Sequence, residues 1–219
     1  MIRPYLLLLL LAGNLHAEGT TVTCRILCLN RAKDAPEKFV ANGADGAIVD
    51  CPLPIDTPSN PVVLAADGAK LGFYASAGDP SPAVTAKIPS GLSDLLLIFV
   101  PGEEAGAPPY RALVLDHSPK GFPDDGCLVV NLYQKDIRFV IGEHRGLLPA
   151  GKSYPLARPA KRDDFNMAGL AFQFQSGEKW RTAAETMVRF AGGQRHLFVT
   201  FVDSKTKRPR LRSFRVAPR

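Results

Sequence analysis

Residues 24–43 read CRILCLNRAKDAPEKFVANG, and residues 126–146 read GCLVVNLYQKDIRFVIGEHRG. The pair decides the fold, because the second stretch restates the first about one hundred residues later. Ile26–Asn30 (ILCLN) aligns with Cys127–Asn131 (CLVVN) at an offset of 101, and Lys38-Phe39-Val40 aligns with Arg138-Phe139-Val140 at an offset of 100. LGFYAS from Leu71 aligns with LAFQFQ from Leu170 at an offset of 99. DLLLIFVPG at 94–102 aligns, after a small shift, with RHLFVTFVDS at 195–204. Four matches in one order at a nearly constant offset predict an internal repeat of about 100 residues.

The repeating pieces read as strands. Val22, Cys24, Ile26 and Cys28 fall on one face of an extended segment, with Thr23 and Arg25 on the other. Leu95–Val100 is a short continuous apolar run, the pattern of a strand buried on both faces. Phe172 and Phe174 alternate with Gln173 and Gln175, and Ser176-Gly177 then predicts a tight hairpin into EKWRTAAETMVRF. Residues 178–190 are ambiguous, because Trp180, Ala184, Met187 and Phe190 also fit a helix face. Their counterpart in the first repeat contains Pro82 and Pro89, which disfavours a helix, so a strand is the reading adopted. The 19 Gly and 19 Pro suit many short strands joined by turns.

The fold class expected is therefore all-β: two tandem antiparallel β-sandwich domains, immunoglobulin-like in size. Residues 18–118 form the first, 119–125 a Pro- and Gly-bearing linker, and 126–219 the second. Leu27 and Leu29, on the second face of the first strand, are candidates for the contact between them.

Residues 1–17, MIRPYLLLLLLAGNLHA, carry one charge, Arg3, then an apolar run to Ala12, then a polar break ending in Ala17. That is the pattern of a secretory signal peptide cleaved after Ala17. A spanning helix needs about 20 apolar residues, and Gly13 and Asn14 interrupt this run far sooner. The expectation is an exported protein, periplasmic or extracellular, with no transmembrane segment in the mature chain.

The formal net charge is +6, and the tail from Asp203 to Arg219 supplies all of it, with seven Lys or Arg against one Asp. The basic balance describes that tail and not the fold, so no nucleic-acid partner is expected. Lys205, Lys207, Arg208, Arg210 and Arg212 are the candidate anion-binding residues. RSFRV (212–216) also aligns with RALVL (111–115) at an offset of 101, which makes the tail the closing strand of the second domain. Its charges then protect a strand edge.

The segments ILCLNRAKDAPEKFV (26–40), RALVLDHSPKGFPDDGCLVVNL (111–132), LLPAGKSYPLA (147–157) and RLRSF (210–214) carry a resemblance. In this order the chain is similar to a family of uncharacterised exported bacterial β-sandwich proteins, a domain of unknown function. There a strand ending in an Asn between apolar residues precedes a Pro-Ala-Gly turn, here Pro149-Ala150-Gly151. The resemblance implies a fold and an exported location, and it carries no catalytic residue.

Residues that could carry chemistry are scattered. His117, His144 and His196 lie in separate segments, none with a partner at metal-ligand spacing. Asp116-His117-Ser118 does not make a triad, because adjacent residues of a strand face opposite ways. It reads as a strand end entering a loop. Pro123-Asp124-Asp125-Gly126 has turn chemistry and lacks the further oxygen ligands of a calcium loop. The four Cys permit three pairings. Cys24 and Cys28 on one strand would stand about 13 Å apart, beyond the roughly 7 Å that a disulfide spans. Cys28–Cys51 is the candidate disulfide, with free buried thiols close behind. No cofactor or metal is expected. The function expected is that of a non-enzymatic structural or interaction protein of the cell envelope, whose partner is another envelope protein or an anionic polymer. The alternatives are a binder of an anionic polymer or lipid surface through the basic C-terminal hairpin, and an enzyme with a site built from loops around His117 or His144.

Overall fold

The computed structural model describes residues 20–32, 35–102, 108–203 and 206–218, so the expected signal peptide and Lys205 lie outside the described residues. The described residues form sixteen strands and no helix. The first eight are β1 Thr21–Cys28, β2 Lys38–Asn42, β3 Ile48–Pro52, β4 Val62–Ala65, β5 Lys70–Phe73, β6 Val84–Lys87, β7 Asp94–Pro101 and β8 Tyr110–Asp116. The second eight are β9 Cys127–Asn131, β10 Ile137–Ile141, β11 His144–Leu148, β12 Ser153–Leu156, β13 Met167–Ser176, β14 Lys179–Arg189, β15 Arg195–Val202 and β16 Pro209–Val216. Among the described residues no helix is long and apolar enough to cross a membrane.

Two four-stranded sheets have the orders β4-β1-β7-β8 and β12-β9-β15-β16, the second being the first advanced by eight strands. A third runs β11-β10-β13-β14. The pairs β2-β3 and β5-β6 are joined by an isolated bridge in which Val40 and Tyr74 exchange both backbone bonds, at 2.9 and 2.8 Å.

The pairing is not antiparallel throughout, which corrects the expectation. β1 runs parallel to β7 from Thr23↔Asp94 to Cys28↔Phe99, and β9 runs parallel to β15. Parallel neighbours need a long crossover, and five intervening strands supply it. The arrangement places the most apolar strands at the centre of each sheet, where both faces can be covered.

That covering explains the continuous apolar runs. From β7, Leu95, Leu97 and Phe99 join Cys24, Ile26 and Cys28 in a core shared with β2, β3, β5 and β6. Leu96, Ile98 and Val100 point the other way and join Leu27 and Leu29 against Leu128, Val130, Leu197 and Val199. Cys127, Val129 and Phe198 then face Phe139, Leu170, Phe172 and Phe174 in a third cluster. The sheets stack in four layers around three apolar cores. Among the described residues the middle core holds thirteen buried side chains, Phe122, Phe214 and Val216 included. Each contributes roughly 1.5–3 kcal/mol when taken from water, as an upper estimate, so the two middle sheets cannot part cheaply.

Residues 179–189 are a strand, with Ser176↔Lys179 closing a two-residue hairpin in which Gly177 takes a φ of 61°. A bulge lies between Phe172↔Ala184 and Gln173↔Thr182, leaving Ala183 without a partner position. It swaps the faces of β14, so Ala184 and Val188 turn toward the core while Trp180 pairs across from Gln175.

Candidate functional site

The base of the β7–β8 hairpin brings Asp94 and His117 together. The His117 amide donates to the Asp94 carbonyl at 3.0 Å, and His117 Nδ1 lies 3.0 Å from Asp94 Oδ1. Arg195, at the start of β15 in the facing sheet, places Nη2 at 2.8 Å from His117 Nε2 and at 2.9 Å from the Ala217 carbonyl. Its guanidinium lies over the Phe122 ring at 4.8 Å, and that ring meets His117 edge-on. Five segments thus converge on two buried polar side chains, each about 1% exposed.

The protonation state follows from the partners. A guanidinium has only donors and stays charged, so His117 Nε2 must accept and Nδ1 must carry the proton that it donates to Asp94. Burial, and then the charge of Arg195, push the His117 pKa down to about 4, against the upward pull of Asp94. Arg25 on β1 adds a smaller downward push. With both ring nitrogens committed, His117 can accept a proton only by giving up Arg195.

Beside this chain lies a cleft of about 380 Å³ lined by Thr21, Thr23, Arg25, Val63, Ser93 and Asp94, among others. These are odd-numbered positions of β1 and their neighbours, on the same face as Leu27 and Leu29. The cleft is therefore the uncovered end of the sheet face that the middle core covers further along.

No family model and no curated protein matches the chain.

The structure does not bring the three histidines together. His144 Nε2 stands 3.5 Å from Glu143 Oε1. The Glu143 carboxylate itself accepts the amides of Ala160 at 2.6 Å and Lys161 at 2.9 Å, and these bonds pull its pKa down to about 2. It clamps a loop. His196 is packed between Phe190, at 4.7 Å between ring centroids, and Phe198, at 6.0 Å. Burial pushes its pKa down to about 4. Among the described residues its Nε2 has no hydrogen-bond partner, and no group of three or more His, Cys, Asp or Glu is placed to hold a metal ion.

All four thiols are free and buried, so the Cys28–Cys51 bridge is not formed in this structure. Cys28 Sγ donates to the Asn30 carbonyl at 2.9 Å, and Cys51 Sγ turns to the Val49 carbonyl on its own strand at 3.7 Å. Burial pushes Cys24, Cys51 and Cys127 up to about 12, Cys51 adding to the rise at Cys24. A thiol that stays protonated is a poor nucleophile.

The basic tail divides. Lys207, Arg208 and Arg210 are exposed around the β15–β16 turn, which is held by bonds between Asp203 and the backbone of Thr206, Lys207 and Arg208. Arg212 is committed elsewhere. Its Nη1 donates to the Leu29 carbonyl and to Asn30 Oδ1, its Nη2 donates to the Ile55 carbonyl at 2.8 Å, and Asp56 lies 3.8 Å away. A residue read as an anion ligand is thus a tie from the last strand to the first half of the chain.

Two polar residues escaped the sequence reading. Arg195 opens the apolar run of β15, and no neighbour in the sequence marks it as buried. Asn131 is fully buried, donating to the carbonyls of Lys135 and Leu148 while its Oδ1 accepts the Tyr133 amide and the Thr200 hydroxyl. Its only signal was an Asn ending an apolar strand.

Proposed function

We propose that the protein is an exported, non-enzymatic structural or interaction protein of the cell envelope. In this reading residues 1–17 are a signal peptide, and 18–118 and 126–219 are tandem β-sandwich domains related by repetition and immunoglobulin-like in size. The observation that carries the proposal is the joint between the middle sheets, where an apolar core is flanked by Arg195 on His117 and by Arg212 on Leu29 and Ile55. Such a joint holds two bodies as one rigid piece, as a spacer or an adaptor requires. Further support comes from the titratable groups, since the buried histidines are held neutral and the thiols protonated. The same strand order in two sheets supports the repetition. The partner fitting this reading is another envelope protein or an anionic polymer.

The test is expression of the full chain in a bacterial host, with fractionation and intact mass. A mature chain beginning at Glu18 in the periplasm or medium is expected. A full-length chain retained in the cytoplasm would end the export reading.

A second reading is favoured by the exposed Lys207, Arg208 and Arg210 at one turn: binding of an anionic polymer or lipid surface through the β15–β16 hairpin. It requires salt-sensitive binding to an acidic polysaccharide or to anionic vesicles. Charge reversal at Arg208 and Arg210 that leaves such binding unchanged disposes of it.

A further inference from the structure

The two ties across the middle core differ in one respect: one passes through an imidazole and the other does not. The Arg195 tie ends on His117 Nε2, whereas the Arg212 tie ends on backbone carbonyls and an amide oxygen. They also sit at opposite ends of the sheet. Asp94 pairs with Thr23 near the start of β1, while Leu29 follows Cys28, which pairs with Phe99. Six residues of strand put these ends roughly 20 Å apart.

We propose that Asp94–His117–Arg195 is an acid-released latch: a proton on His117 frees Arg195 and opens that end of the joint, while the Arg212 clasp holds the other end as a hinge. The reason is geometric. A protonated imidazole presents two N–H donors and accepts nothing. The 2.8 Å contact with Arg195 then sets donor against donor and charge against charge. The other nitrogen keeps Asp94, so His117 stays with the first half and Arg195 is the partner that leaves.

Among the described residues, the charged groups facing His117 are Asp94 from β7, Arg195 from β15 and Arg25 from β1, with the Phe122 ring against its edge. The neighbouring Asp116 carboxylate is turned to the Ser118 amide at 2.8 Å. Of the three charges, only Asp94 favours the protonated ring. The folded pKa lies below the ordinary histidine value, at about 4. The latch is therefore fully made above about pH 6.5 and is lost as pH falls through about 4.

The experiment is hydrogen–deuterium exchange on the whole chain, read by mass spectrometry from about pH 7 down to about pH 4 and corrected for intrinsic rates. Amides around the latch, such as Phe122 on Ser118 and His196 on Gly126, should exchange faster by up to about tenfold per pH unit below the ordinary histidine range. Strands facing the first and third cores, and Leu29 on Phe99 at the hinge, should keep their protection. His117→Gln keeps an acceptor for Arg195 and a donor for Asp94 without a titrating proton, and should abolish the acid step. His196→Gln should leave it in place. Loss of protection everywhere in one transition would overturn the proposal, as would an unchanged acid step in a folded His117→Gln. Should that variant not fold, the imidazole signal of His117 in the parent decides. Titration in step with latch exchange supports the proposal, and titration without it refutes it.

Discussion

Replacing Arg212 with alanine separates a tie within the fold from a free cation on its surface. The side chain is 29% exposed and makes three hydrogen bonds to Leu29, Asn30 and Ile55, with its guanidinium 5.0 Å above the Phe214 ring. A hydrogen bond from a charged donor contributes roughly 1.5–3 kcal/mol when its loss strands a buried partner. These acceptors lie at the rim of the joint, where water can replace part of the loss. The contact with Asp56, itself 88% exposed, adds at most a few tenths of a kcal/mol. Arg212→Ala should therefore cost about 2–3 kcal/mol, which for a chain of this size lowers Tm by roughly 5–10 °C. Arg210→Ala, exposed on the same strand, should stay within about 0.5 kcal/mol of the parent. Arg212→Lys should fall between, because an ammonium cannot fork to two carbonyls. The assay is urea unfolding followed by the fluorescence of Trp180, the single Trp, alongside thermal melts by circular dichroism. Equal stability of Arg212→Ala and Arg210→Ala would refute the tie and return Arg212 to the pool of anion-binding candidates.

Three other outcomes follow from the same structure. Deleting residues 210–219 removes most of β16 with Phe214 and Val216, each 2% exposed, and should cost more than about 4 kcal/mol; an unchanged melting temperature would mean that the tail is not part of the fold. With every cysteine buried and three thiols pushed up to about 12, a thiol reagent at neutral pH should label none in the native protein and all four after denaturation, and a fast native fraction would contradict the packing. His196, lowered to about 4 by burial, gives stability that is complete above about pH 6.5 and falls away by about pH 4, on the order of 3 kcal/mol in all. Urea midpoints that differ between parent and His196→Phe by the same amount at every pH would contradict that.

What the sequence revealed and what it hid divide along physical lines. Alternation marks β1 and β13 locally and a short continuous apolar run marks β7, so all three could be read directly. Leu27 and Leu29 could be placed on the joint because a sheet face that is apolar on both sides needs two neighbours. The parallel pairing of β1 with β7 was hidden, since it joins segments about seventy residues apart and leaves no local trace. β14 was ambiguous for a definite reason. Trp180 and Met187 lie on its outer face, across from Gln175 and Gly169, while Ala184 faces Phe172 on the core side of the bulge at Ala183, so no single alternating stripe marked the segment as a strand. The latch was hidden more thoroughly. Asp116 beside His117 drew attention in the sequence, but the partner that matters is Asp94 across the hairpin, and Arg195 comes from another sheet.

The hairpin orders carry a consequence for how the protein could be held. β1 begins beside Asp94, and β16 ends beside Arg195, since Thr23 pairs with Asp94 and Val216 pairs with Arg195. The two ends of the folded body therefore emerge next to each other at the latch. The β15–β16 turn with Lys207 and Arg208 lies at the far side, one strand length or about 25 Å away. An attachment at either terminus leaves that basic turn pointing outward as the distal tip. Tension on both termini at once would load the joint as a zipper, strand by strand from the latch.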